Sequence, residues 1–190
     1  MSIRNIKHRK SIRLKDFDYS QAGAYFVTIC TQERKCLFGD GLTEKMALSE
    51  IGEKVRQFWL EIPQHFQHVD LDTFVVMPNH LHGILNILDV GVQHVEPLPQ
   101  KHQYQKIIPK SLGSIIRSYK ATVTRWCGQN GCASFKWQRN FYERVIRNQS
   151  ELSRIREYIV NNPLKWHLDK ENPQNWKHLS MTTPGIRKTL

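Results

Sequence analysis

Apolar positions recur along this chain with two periods, and the switches between them mark out its elements. Residues 24–31, AYFVTICT, are aromatic and β-branched, the composition of a strand. Gly39 and Gly41 then signal a turn. Between Thr43 and Ile62, the residues Met46, Ile51, Val55, Phe58, Trp59 and Ile62 return at three- and four-residue steps. That spacing predicts a helix capped by Thr43 and ended by Pro63. Two strands follow at 69–77 and 80–88, joined as a hairpin-like pair through Pro78-Asn79. Residues 89–110 carry three prolines and no apolar period, the signature of a long loop. A second helix is expected over 111–127, with Leu112, Ile115, Ile116, Tyr119 and Val123 on one face. Gly128, Asn130 and Gly131 break it, and a fourth strand lies within 135–146. The last helix, 150–162, is capped by Ser150, buries Leu152, Ile155 and Ile159, and stops at Pro163.

The order strand, helix, two strands, helix, strand, helix predicts an α+β domain: a mainly antiparallel sheet with helices on one face, of ferredoxin-like type. The expected organisation is a basic arm at 1–20, one domain at 21–168 and a tail at 169–190. No repeat of solenoid period is present.

Charge sharpens this picture. The 190 residues include 28 Lys and Arg against 17 Asp and Glu, a net charge of +11. A chain this basic suits a polyanion, because each phosphate it neutralises releases condensed counterions; an acidic protein or a membrane surface is the blander alternative. No apolar run approaches the roughly 20 residues needed to span a bilayer, so no membrane association is expected. The basic N-terminus lacks the apolar core of a secretory signal. Cys30, Cys36, Cys127 and Cys132 follow no disulfide framework or C-x-x-C zinc spacing, and a cytoplasmic protein with reduced thiols is the simplest expectation.

The sharpest local feature is residues 75–85, VVMPNHLHGIL. Side chains alternate along a strand, so His80 and His82 share a face while Leu81 points away. Two neutral imidazoles on one face can share a divalent metal; as a bare H-x-H they could equally be surface or core histidines. Arg139, Arg144, Arg147, Arg154 and Arg156 crowd around the last strand and helix, and Arg117 and Lys120 lie on the second helix. Those basic residues could form a phosphate-tracking groove or a solvated face. Trp137, Phe141 and Trp166 could stack bases or fill the core. Glu143 and Asp169 have no carboxylate partner at motif spacing, and no Gly-rich phosphate loop is present.

The MPNHLHGIL stretch resembles the His-hydrophobic-His motif of single-tyrosine, single-strand DNA transposases, and above all the REP-associated tyrosine transposases, relatives of the small insertion-sequence transposases. The resemblance continues through SLGSIIRSYKATV at 111–123, WQRNFYER at 137–144 and YIVNNP at 158–163, in the family's order. It implies a divalent ion, Mg²⁺ or Mn²⁺, on His80 and His82. It also implies a nucleophile on the last helix, matched by Tyr158, that attacks a DNA phosphate to leave a 5′-phosphotyrosine and a free 3′-hydroxyl. A phenol has a pKa near 10 and needs a polarised phosphate and a basic site to act. The insertion-sequence relatives place a Gln one turn after the tyrosine as third metal ligand; here Asn162 offers a shorter amide on the same helix face. The implied substrate is single-stranded DNA beside a hairpin. Small relatives exchange the tyrosine helix between two subunits while REP-associated ones can act alone, so monomer and homodimer both stay open. Tyr119 and then Tyr142 are the rival nucleophiles. A binding module without catalysis and a metal-dependent nuclease that activates water are the alternative functions.

Overall fold

The computed structural model describes residues 17–40, 47–89 and 109–175. Most of the basic arm, Thr43, most of the 89–110 loop and residues 176–190 lie outside them. Strand β1 (Gly23–Cys30) leads through a short 3-10 turn, Gln32–Arg34, to β2 (Gly39–Asp40), which pairs with β3 (Ala47–Leu48). Helices α1 (Glu50–Leu60) and α2 (Ile62–His65) follow, then the hairpin of β4 (Val69–Met77) and β5 (His80–Ile87). Helix α3 (Leu112–Gln129), strand β6 (Tyr142–Ile146), helix α4 (Gln149–Asn161) and a 3-10 helix, Pro163–Leu168, complete the order. The main sheet runs β4-β5-β1-β6 with every neighbouring pair antiparallel, the ferredoxin-like α+β arrangement expected.

Strand alternation divides the side chains between two faces. Tyr25, Val27 and Ile29 of β1 and Leu81, Leu85 and Ile87 of β5 point to one face. There they meet Val55 and Trp59 of α1 and Leu112, Ile115, Ile116, Tyr119 and Val123 of α3. Gly83 belongs to this packing: a Cβ built on it would stand 2.4 Å from the Trp59 ring, so only glycine lets the indole lie against β5. The second face carries a smaller cluster, Phe26, Ile84, Ile146 and Ile159, with Val75, Leu152 and Ile155 against it. Helices on one face therefore describes α1 and α3; α4 packs on the other. A bidentate contact ties α4 to β4, with Arg156 Nη2 2.6 Å from Asp72 Oδ2 and Arg156 Nε donating to Asp72 Oδ1 at 3.0 Å.

Several boundaries move from the expected places. Helix α1 starts at Ser49, whose Oγ accepts from the Gly52 amide at 3.1 Å, with Glu50 and Glu53 in the first turn beside the positive end of the helix dipole. The break falls at Glu61, and Pro63 sits in the first turn of α2, where its missing N–H costs nothing. Helix α4 is capped by Asn148, whose Oδ1 accepts from the Glu151 amide at 2.8 Å, so Ser150 lies inside the first turn. Residues 169–175, assigned from sequence to the tail, fold back on the domain, where Asn172 is buried and donates to the Trp166 carbonyl at 3.1 Å. Among the described residues all four cysteines are free thiols, and no helix is long and apolar enough to cross a membrane.

Candidate active site

The alternation that sends Leu81 into the core turns His80 and His82 to the α4 face, where they are 0% and 3% exposed. Their Nε2 atoms stand 3.0 Å apart. Each ring is held from behind. Asn79 donates its amide N–H to the carbonyls of Arg34 (2.9 Å) and Glu171 (2.7 Å), which fixes its Oδ1 as the acceptor facing His80 Nδ1 at 2.8 Å. His80 therefore carries its proton on Nδ1 and turns the lone pair of Nε2 inward. Thr28, paired with His82 across β1 and β5, places its hydroxyl 2.8 Å from His82 Nδ1. Burial holds both imidazoles below the ordinary histidine value, His82 down to about 3 with a contribution from the Lys170 charge, and His80 well below 6.5 with His82, Arg34 and Lys170 adding to it. Both are neutral at physiological pH, the form that binds metal.

Helix α4 brings Tyr158 over this pair, its hydroxyl 3.2 Å from His82 Nε2 and its ring edge-on to His82 and Phe26. The phenol is pushed above 10, first by burial and then by the Asp169 charge, while a hydrogen bond from the Asn162 side chain works the other way. One turn on, Asn162 is 4% exposed and its Oδ1 is buried without a hydrogen-bond partner. Asp169 Oδ2 lies 3.9 Å from His80 Nε2, and ligand atoms of His80, His82 and Asp169 all fall within 4.8 Å of one another. Two neutral imidazoles and a carboxylate, their ligand atoms within 4.8 Å of one another, form a donor set that fits a divalent cation. A buried acceptor with no donor is costly unless something electropositive meets it.

The remaining sequence-selected residues divide. Tyr119 lies on the opposite face, buried and donating to the Val55 carbonyl at 3.0 Å, away from the histidines. Tyr142 is exposed on the histidine face, edge-on to Phe26 at 6.2 Å. Arg144 reaches Glu151 at 2.5 Å, and Arg139, Arg147 and Arg154 are exposed. Arg117 and Lys120 belong to α3 on the other side of the sheet, where the Lys120 ammonium holds the carbonyls of Gln138 (2.7 Å) and Asn140 (3.1 Å). Arg117 and Lys120 thus belong to the helix packed on the face opposite α4. Trp137 and Phe141 pack with the main core, and Trp166 is buried 6.1 Å from the His80 ring. Sequence spacing alone does not mark Thr28, Asn79, Asp169, Lys165 or Lys170 as site residues. Their signals were faint: a strand threonine, an asparagine in a two-residue link, and charges beyond a proline.

No family model matches the chain. A Haemophilus influenzae protein described only as uncharacterized is 43% identical over 173 residues, spanning 87% of this chain and 93% of its own length. A second protein of that organism, named "Putative REP-associated tyrosine transposase", is 24% identical over 166 residues, covering 86% of this chain and 82% of its own. Among solved structures, a REP-associated tyrosine transposase bound to a REP hairpin matches with a TM-score of 0.56 at 21% identity, covering 85% of this chain and 77% of that one. That last likeness is one of fold.

Proposed function

We propose that this chain is a DNA-processing enzyme of the REP-associated tyrosine transposase kind, in keeping with its likeness to a relative of that name, and that it cleaves and rejoins single-stranded DNA beside hairpins through a phosphotyrosine on Tyr158. One observation carries the reading: the Tyr158 hydroxyl stands 3.2 Å from His82 Nε2, over the only three-residue cluster of ligand side chains among the described residues. His80, His82, Asp169 and Asn162 would hold the ion, and two nitrogens with two oxygens suit Mg²⁺ or Mn²⁺ better than a thiolate-seeking metal. Bound there, it would offset charge gathering on the non-bridging oxygens of the phosphate.

The chain's own residues do the rest. Helix α4 presents the phenol oxygen to the phosphorus. As that O–P bond forms, the phenol gives up its proton, the bond to the 3′ oxygen breaks, and the departing oxygen takes up a proton as a free 3′-hydroxyl. Attack by another 3′-hydroxyl reverses the sequence and releases Tyr158, so joining needs no nucleotide cofactor. Asn79 keeps the His80 imidazole in one tautomer, and Thr28 holds the His82 ring in place.

The test is a covalent adduct. Wild-type protein, incubated with labelled single-stranded hairpin DNA and Mn²⁺ and then denatured, should carry the label. Tyr158→Phe should bind the same DNA and carry none, whereas Tyr119→Phe should behave as wild type. Cleavage that survives Tyr158→Phe without any adduct would replace this reading with a nuclease that activates water.

A further inference from the structure

A cavity of about 400 Å³ opens beside the phenol, lined by Tyr158, Asn162, Lys165, Leu168, Asp169 and Lys170. Its charged lining is two ammonium groups against one carboxylate, an excess that matches one phosphodiester. Lys170 is also held in place by its neighbours. On one side, Asp169 lies 3.9 Å from His80 and accepts the Glu171 amide at 2.7 Å. On the other, the Glu171 carbonyl accepts from Asn79 at 2.7 Å, and its carboxylate pairs with Arg34 at 2.6 Å, both partners largely buried. Glu171 is thus tied to Asn79 behind His80 while Asp169 lies beside that ring, and the Lys170 charge is felt by both imidazoles. A lysine on a solvated tail has no such fixed position.

Resting on the reading above, we propose that this cavity seats the attacked phosphate and that Lys170, with Lys165 lining the same space, holds its non-bridging oxygens. An ammonium is a point charge with three donors and needs no fixed fork to serve a phosphate. From this wall of the cavity it steadies the phosphate against Tyr158. Lys170 is a substrate-binding residue in this scheme.

Neutralising one phosphate of the DNA tests it. An oligonucleotide that the wild type converts to adduct is made with a methylphosphonate at the cleaved position, and binding is measured in the Tyr158→Phe background. The neutral linkage should lower affinity about tenfold, the size of one close charge pair. With Lys170→Gln added, the same linkage should cost clearly less than in the parent, because one of the charges that faces the phosphate is already gone. A methylphosphonate two nucleotides away should cost both proteins equally. Equal sensitivity of both proteins at the cleaved position overturns the role of Lys170 while leaving the nucleophile intact. Should Lys170→Gln fail to fold by circular dichroism, Lys170→Arg must keep the sensitivity and Lys165→Gln must reduce it, and failure of either overturns the proposal. If the wild type forms no adduct on any hairpin-flanked strand, the reading beneath falls and the lysines with it.

Discussion

At the scale of single residues, the amide of Asn79 does more than its place in a two-residue link implies. Its nitrogen fastens the Arg34 and Glu171 carbonyls, and its oxygen decides which nitrogen of His80 carries the proton. The Thr28 hydroxyl anchors the His82 ring through Nδ1. Outer partners of this kind commonly change metal affinity or activity by about 10- to 100-fold. Thr28→Val keeps the shape and removes the hydrogen bond, so Mn²⁺ affinity, followed by calorimetric titration of the protein without DNA, should fall within that range while the fold survives. An unchanged affinity would leave Thr28 a packing residue. The histidines themselves were visible in the sequence because strand alternation is local. Thr28, Asn79 and Asp169 were not, because their roles arise only when β1, β5 and the chain after α4 meet, and nothing in local spacing encodes that meeting.

Among the elements, α4 holds Tyr158 and packs on the smaller of the two apolar clusters. It rests on Phe26, Ile84 and Ile146 through Ile159, and on Asp72 through Arg156. Ile159→Ala should destabilise the protein by about 2–5 kcal/mol and lower adduct formation as Tyr158 loses its seat, both readable from denaturant unfolding beside the labelling assay. The Asp72 carboxyl is held below 3.8, chiefly by its hydrogen bond from Arg156. A depressed carboxylate stabilises the fold above its unfolded value and loses that contribution as pH falls through the folded one. Asp72→Asn should accordingly unfold more easily than wild type at neutral pH, with the gap closing as the pH drops below 3.8. Equal unfolding midpoints at both pH values would show the pair contributes nothing. The sequence pattern located every long element, since apolar period is a property of the segment itself. Helix starts slipped because Thr43, Ser49, Asn148 and Ser150 are all acceptable caps by type, and only the packing of the following turn chooses among them.

For the whole molecule, Tyr158 reaches the histidines of its own chain, an arrangement in which one chain would act without exchanging α4 with a second copy. Mixing His80→Ala protein with Tyr158→Phe protein should restore no adduct; recovery would reveal helix exchange between two copies. The net charge of +11 should also make DNA binding steeply salt-dependent, with each phosphate contact adding about one unit to the slope of log K against log salt; a flat slope would point to a protein partner. Strand β5 links these scales. Leu81, Leu85 and Ile87 look toward α1 and α3, Gly83 makes room for Trp59, and His80 and His82 look toward α4. A slip of one residue would push both imidazoles into the apolar layer and strand the leucines on the far side. Assembly is therefore self-checking: a chain that closes its core has already aligned its histidines, and a misregistered chain fails as a fold before it can act on DNA wrongly.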